Sequence, residues 1–258
     1  MPRDVGEWTQ DKLKIVTQYL PAYLTATQRA TERIYIDAFA GPGTNRIERT
    51  GEVIDGSPLI ALSAKDKKGH AFSRLFFIEH DAGAARELKA EVVNRGQYHR
   101  AAVVEGDVNV ELPRLMHRIN KRSPTFIFLD TEGIEPRWET VVSLANWQTE
   151  LLINFPLGMA INRNPDSAKV EAYFGTPEWR RLWEGGRLSR TSGLLHWYLG
   201  RLAELGWKEQ PDYPRLVRDD GNRYLYYLLF VAKHPAGRRI MDSVFQQPDS
   251  SGQARFKM

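Results

Sequence analysis

The segment Tyr35-Ile-Asp-Ala-Phe-Ala-Gly-Pro-Gly43 constrains this chain more than any other, because a short apolar strand runs into an acid and then into a Gly-x-Gly turn. Glycine reaches the positive φ values such a turn demands and carries no β-carbon, so a ligand can lie against bare backbone at the C-terminal edge of a parallel sheet. A dinucleotide fold would add a third glycine where a helix N-terminus meets the pyrophosphate. Here Gly43 is followed by Thr44, Asn45 and Arg46. A P-loop would place Lys-Ser or Lys-Thr directly after its last glycine, and that pair is absent too. The turn points to a phosphate-free adenosine compound. S-adenosylmethionine offers the matching groups: two ribose hydroxyls for a carboxylate, and a sulfonium whose charge disappears as the methyl group leaves. Taken alone, a Gly-x-Gly is equally the mark of a structural turn.

Three further apolar runs repeat the pattern. Leu75-Phe-Phe-Ile78 ends in Glu79-His80-Asp81, Ala101-Ala-Val-Val104 ends in Glu105-Gly106-Asp107, and Thr125-Phe-Ile-Phe-Leu129 ends in Asp130-Thr131-Glu132-Gly133. Any single acid is as well explained as a strand terminus or a helix cap. Four successive strands ending in acids at one edge make a site. In this reading Phe39, Gly41 and Gly43 admit the methionine portion of the cofactor, and Asp37 orients its ammonium through water. Glu79 holds the ribose hydroxyls and Asp107 the adenine amino group. Asp130 and Glu132 orient or deprotonate the nucleophile. A carboxylate accepting both hydroxyls makes charged hydrogen bonds of roughly 1.5–3 kcal/mol each.

A chain of 258 residues that is 42% hydrophobic suits a single domain with additions. It has no cysteine, which removes disulfides, thiolate nucleophiles and cysteine-ligated metal centres from this polypeptide. No run of about 18 apolar residues is present and Met1 to Lys14 mixes both charges, so no membrane insertion and a cytoplasmic location are expected. The six histidines show no helix-face pairing of the zinc type, and no metal is assigned. The net charge is +4, and Arg180, Arg181, Arg187, Arg190 and Arg201 interleave with Trp179, Trp183, Trp197 and Tyr198. Guanidiniums on phosphates and rings on unpaired bases would make this an RNA or DNA surface. The four-residue spacing of Trp179 with Trp183 and of Leu194 with Tyr198 equally suits amphipathic helices burying one face.

Along the chain, Thr9 is placed to cap a helix carrying Leu13, Val16 and Leu20 on one face, with Pro21 kinking or ending it. The first strand covers about Arg33 to Phe39, and a polar loop from Thr44 leads to Ser57-Pro58, a serine cap followed by proline at the first helical position. Asp37 and Glu79 lie roughly twice the ~20 residues apart that a compact nucleotide unit uses. An insertion at 44–70 therefore forms either a lid or a passive surface loop. Helical spacing follows the third strand (Leu112, Leu115, Ile119) and the fourth (Trp138, Val141, Val142, Ala145). The fifth strand is Glu150 to Phe155. Its Asn154-Phe-Pro156 imitates the Asn-Pro-Pro-aromatic motif of amino-group methyltransferases, one strand too late. After a helical insertion at 163–210, the runs Tyr224–Ala232 and Arg238–Phe245 flank His234-Pro-Ala-Gly237, which reads as a hairpin. With an N-terminal extension at 1–30 and a polar, flexible tail at 246–258, the expected fold is α/β: a Rossmann-like, seven-stranded class I methyltransferase sheet of parallel strands closed by an antiparallel C-terminal hairpin.

From the Lys12-Leu-Lys-Ile-Val helix to the C-terminal runs, the chain resembles the three-Cys-motif partner proteins, TcmP. The residues that carry the resemblance are Tyr35 to Gly43, Gly56-Ser-Pro-Leu59, Phe77-Ile-Glu79, Phe128-Leu-Asp130, Leu152-Ile-Asn-Phe-Pro156 and the Trp138 helix. The resemblance implies a class I methyltransferase fold and a separate partner protein bearing three cysteines. Thr131-Glu132 stands where many relatives carry a Pro-aromatic pair, which argues against a standard exocyclic base methylation. Two other readings compete: a non-catalytic cofactor-binding subunit of a partner complex, and a metal-dependent nuclease using Asp37, Glu79, Asp107, Asp130 and Glu132.

Overall fold

Strands buried on both faces need apolar residues at every position, and the runs ending in acids meet that demand. The computed structural model describes residues 2–248 except 132, 185, 186, 220 and 222, with the backbone alone at 159 and 187–189. The first elements are β1 (Arg3–Val5), α1 (Trp8–Ala26), β2 (Ile34–Asp37), β3 (Thr44–Ile47), β4 (Val53–Asp55) and α2 (Ser57–Ser63). Alternation follows with β5 (Arg74–Glu79), α3 (Ala82–Asn94), β6 (Ala101–Glu105), α4 (Val108–Met116), β7 (Thr125–Leu129), α5 (Trp138–Ser143) and β8 (Thr149–Phe155). A π-helical turn, Leu157–Ile161, leads to α6 (Ala168–Phe174), α7 (Trp179–Trp183), α8 (Arg187–Glu204), β9 (Arg215–Arg218), β10 (Tyr224–Val231) and α9 (Pro235–Phe245).

The main sheet has seven strands in the order β6-β5-β2-β7-β8-β10-β9. β2, β5, β6, β7 and β8 run parallel, and β10 is antiparallel to both β8 and β9. This is the seven-stranded class I methyltransferase sheet. The chain winds outward from β2 through β5 to β6 and returns to continue from β7, so the topological switch point lies at the C-terminal end of β2. Because successive side chains alternate between faces, Ile34, Ile36, Ile127 and Leu129 pack with α4, α5 and α8 on one side. Tyr35, Phe77, Phe126, Phe128 and Phe230 pack with α1, α2, α3 and α9 on the other.

Several local expectations are corrected. The helix α1 begins at Trp8, so Thr9 lies inside it, and it passes through Pro21 to Ala26. A proline in a helix interior costs about 3 kcal/mol. The face carrying Leu13, Val16, Tyr19, Leu20, Tyr23 and Leu24 is buried, and at about 1.5–3 kcal/mol for each large apolar side chain it outweighs that cost. The segment 44–56 contains two strands: β3 pairs antiparallel with β4 and parallel with the N-terminal β1, making a three-stranded sheet over the glycine turn. Gly56, not Ser57, occupies the cap of α2, and Pro58 sits in its first turn.

The closing hairpin is present, one element earlier than expected. β10 pairs with Arg215–Arg218, whereas residues 235–245 form α9. His234 Nδ1 accepts the Ala236 N–H at 3.2 Å and Pro235 enters the first turn. This is a helix start built from the residues that resemble a turn. Gly237, Met241, Val244 and Phe245 then share the buried face at helical spacing. The expected flexible tail falls, from residue 249, outside the described residues. Among the described residues no helix is long and apolar enough to cross a membrane.

Candidate functional site

The site forms where β2 gives way to the glycine turn. Gly41 and Gly43 have φ values of 63° and 94°, the left-handed region that disfavours any β-carbon. A β-carbon at Gly43 would also stand 2.9 Å from Leu88 Cδ1. The expectation that this turn needs glycine for its conformation is met.

Asp37, at the end of β2, lies beneath the turn rather than in the cleft. It is 0% exposed. Its Oδ2 accepts from the Tyr35 hydroxyl at 3.0 Å, its Oδ1 accepts from the Phe39 N–H at 3.3 Å, and the Ser57 hydroxyl is a further partner. Burial pushes its carboxyl up to about 7, opposed by the Ser57 and Tyr35 hydrogen bonds and reinforced by the neighbouring charge of Asp130. A water-mediated contact to a ligand ammonium has no route from a side chain enclosed this way. Asp37 instead braces the turn and the start of α2.

Glu79, at the end of β5, is bonded to the turn itself. Its Oε2 accepts the Gly41 N–H at 2.6 Å and its Oε1 accepts the Asp81 N–H at 2.8 Å. A carboxylate offers about four acceptor positions, so these two backbone bonds orient the group and leave capacity on each oxygen. Asp81 caps α3 by accepting from the Ala84 N–H at 2.7 Å. Asp107 does the same for α4: its Oδ1 accepts the Asn109 N–H at 2.7 Å, and the side chain is exposed. At Asp107 the helix-cap explanation thus holds, with the second oxygen lying at the surface.

Asp130, beyond β7, is held from two sides. Lys12 of α1 forms an ion pair with Oδ2, and Asn154 Nδ2 donates to Oδ1 at 3.2 Å. The same Asn154 amide donates to the Thr131 carbonyl at 2.9 Å. Asn154 is 3% exposed, and its Oδ1 is buried without a hydrogen-bond partner among the described residues. The register pairs Leu129 with Ile153, so the following residues Asp130 and Asn154 meet at the sheet edge. Glu132 lies outside the described residues. A small cavity of about 50 Å³ opens among Arg3, Lys12, Phe39, Gly41, Ser57 and Asp130. Lys12, Arg3, Ser57 and Asn154 were not anticipated as site residues. The sequence signals near them were the strand-end position of Asn154 and the Ser57-Pro58 helix start. Among the described residues no group of three or more His, Asp or Glu side chains is arranged to hold a metal, so Asp37, Glu79, Asp107 and Asp130 do not form the carboxylate cluster of a nuclease.

The arginine and aromatic residues of α7 and α8 are used largely within the chain. Trp179 and Tyr198 are both 0% exposed. Tyr198 stacks on Tyr173 with centroids 5.4 Å apart, and Trp179 stacks on Phe174 at 5.3 Å. Arg180 lies over Trp179 and pairs with Glu171 at 3.0 Å, while Arg190 lies over Trp183 at 4.3 Å. Arg201 lies over Trp138 at 3.8 Å and donates to the Phe174 carbonyl. Trp179 and Tyr198 are therefore core residues and cannot stack on bases. Arg181 is exposed, and the side chain of Arg187 lies outside the described residues.

No protein-family model matches the chain, and no curated protein matches it in sequence. Among solved structures, a Legionella pneumophila protein superposes with a TM-score of 0.55 at 14% identity, covering 92% of this chain and 91% of that one. Trm1 from Pyrococcus horikoshii, solved with S-adenosyl-L-methionine, gives 0.45 at 14% identity over 92% of this chain and 58% of its own. An rRNA methylase from Streptococcus thermophilus gives 0.41 at 10% identity over 86% and 93%. At these identities the likeness is one of fold.

Proposed function

We propose that this chain binds S-adenosylmethionine at the glycine-turn edge and transfers the methyl group to a nucleophile presented beside Asp130. The observation that carries this reading is the 2.6 Å bond from the Gly41 N–H to Glu79. It joins the bare-backbone turn to the carboxylate suited to a ribose, at the switch point where open α/β sheets bind ligands.

The residues present fit the group. Glu79 retains acceptor capacity for hydroxyls. Arg3 and Lys12 line the cavity on the side where an amino-acid carboxylate would be held, and Asp130 supplies the opposite charge for an ammonium. Phe39, Gly41 and Gly43 form the wall of that cavity, and Asp107 offers its second oxygen to an adenine amino group. About 50 Å³ suffices for the amino-acid end alone, so the nucleoside end belongs on the open edge past Glu79. When bound, the cofactor supplies a methyl group on a positively charged sulfur. Asp130, held by Asn154, orients the acceptor, and with Glu132 takes up the proton the acceptor loses. Alignment is the main contribution in such a transfer.

The proposed acceptor is a ring nitrogen, amine or hydroxyl of nucleic acid, and the proposed setting is a complex with a three-Cys-motif partner protein. The TcmP resemblance supports the partner, and the exposed Arg181 supports a nucleic-acid acceptor. One observation favours a second reading, a cofactor-binding subunit without chemistry of its own: both oxygens of Asp130 are already engaged. Calorimetric titration with S-adenosylmethionine tests the cofactor site. Glu79→Ala is expected to weaken binding at least about tenfold, the equivalent of one charge-assisted bond. Unchanged binding refutes the site. Labelled cofactor incubated with total RNA, DNA and protein, with and without the partner, separates the two readings: label transfer supports the enzyme, and cofactor binding without transfer supports the subunit.

A further inference from the structure

A second cavity, of about 370 Å³, opens at the opposite end of the sheet, where β7 and β8 begin and β10 ends. Its volume is within the roughly 300–1,000 Å³ of small-molecule sites. It has no part in the chemistry assigned to the glycine-turn edge. Arg29 and Arg122 stand at its rim, both exposed and neither with an acidic partner among the described residues, while the Lys233 ammonium is drawn to the Ala145 carbonyl and the Trp207 ring. The Tyr23 ring adds to the lining and is 2% exposed, its hydroxyl turned into the core. Glu150 is the one acid in the lining; its Oε2 accepts from the Tyr19 hydroxyl, and burial pushes its carboxyl up toward the neutral form.

A cavity of this size with two cations at its mouth that have no acidic partner among the described residues is suited to an anion carrying an apolar body. We infer that this cavity is a second binding site, separate from the glycine-turn edge, for a small organic anion whose oxyanion meets Arg29 and Arg122 while its body packs on the wall formed by Ala26, Ala30, Pro124 and Ala236. Carboxylates and phosphate monoesters share that chemistry. Inorganic phosphate, which has no body to fill the cavity, should bind poorly.

The test is calorimetry at low ionic strength on the full chain with adenosine 5′-monophosphate, 4-hydroxybenzoate and inorganic phosphate. At least one organic anion is expected to bind, and to weaken about tenfold or more in the Arg29→Ala/Arg122→Ala double variant. The arginine changes lie at the exposed rim and leave the core intact, so loss of binding there cannot be blamed on unfolding. S-adenosylmethionine binding is expected to be unaffected by the double variant. The inference is overturned if neither organic anion binds, if binding survives the double variant, or if inorganic phosphate binds as tightly as the organic anions, which would reduce the rim to a surface patch.

Discussion

Replacing Asp37 with asparagine isolates the energetic consequence of a carboxyl group that has no contact with solvent. The side chain receives hydrogen bonds from Tyr35, Phe39 and Ser57, yet burial dominates and lifts its pKa from 3.8 to about 7. A raised pKa means that the folded protein keeps a proton which the unfolded chain has released between those two values. This contribution to stability is complete below the unfolded pKa and is lost as pH rises through the folded one. The shift is about three pK units, and at 1.36 kcal/mol per unit the total loss is at most about 4 kcal/mol. Of this, about 2.5 kcal/mol falls between roughly pH 5 and pH 8. The substituted amide would keep the shape and the acceptor for the Phe39 N–H while having nothing to titrate. Urea unfolding of both proteins across that range is therefore expected to show wild-type stability falling relative to Asp37→Asn by about 2–3 kcal/mol toward high pH. Glu150, also raised by burial to about 7, contributes a slope of the same sign to both proteins and drops out of the difference. Parallel pH profiles would refute the reasoning, because they would mean that the buried carboxyl bears no net desolvation penalty.

A positively charged ligand group near the turn should favour the ionised form of Asp37, so S-adenosylmethionine binding near pH 7 is expected to release protons; calorimetry in buffers of different ionisation enthalpy measures this, and a buffer-independent enthalpy would count against it. Asn154→Leu removes both bonds from Nδ2 and strands the buried Thr131 carbonyl. It is expected to cost about 1–3 kcal/mol in urea unfolding and to reduce methyl transfer more than cofactor affinity. Trp179→Ala empties a core position that is 0% exposed and should destabilise by about 3–5 kcal/mol, while Arg181→Ala on the exposed side stays within about 0.5 kcal/mol.

The parallel half of the sheet and its row of acids could be read from sequence because strands covered on both faces carry apolar runs that end where the chain returns to solvent. Asp37, Glu79, Asp107 and Asp130 all fall at those ends. Their individual partners could not be read, since they depend on contacts between segments far apart in the chain: Lys12 reaches Asp130 only because α1 packs across the sheet. β1 escaped detection because three residues are too few to show periodicity. The final helix was misjudged for a different reason. His234 and Pro235 serve a helix start as well as a turn, and the recurrence of Gly237, Met241 and Val244 was the signal that distinguishes the two. The spacing of Trp179, Leu194 and Tyr198 did announce a buried face, and the arginines beside them are drawn onto that aromatic cluster by cation–π contacts.

These placements make the N-terminal segment part of the site. β1 is fixed by pairing with β3, which follows directly from the glycine turn, and α1 is fixed by its buried face on the sheet. Between those anchors, Arg3 and Lys12 are carried to the cavity whose other wall is Gly41 and Asp130. The positive charges at the mouth come from one end of the chain and the negative one, Asp130, from a strand end, so the cavity presents both halves of a zwitterion's complement only when the two are packed together. An amino-acid end entering there meets opposite charges on opposite sides, and the Lys12 to Asp130 ion pair must loosen to receive it. Lys12→Met therefore frees Asp130 while removing the partner for a carboxylate. It should weaken S-adenosylmethionine more than it weakens adenosine, which lacks the amino-acid end, and an equal loss for both ligands in parallel titrations would place Lys12 outside the site.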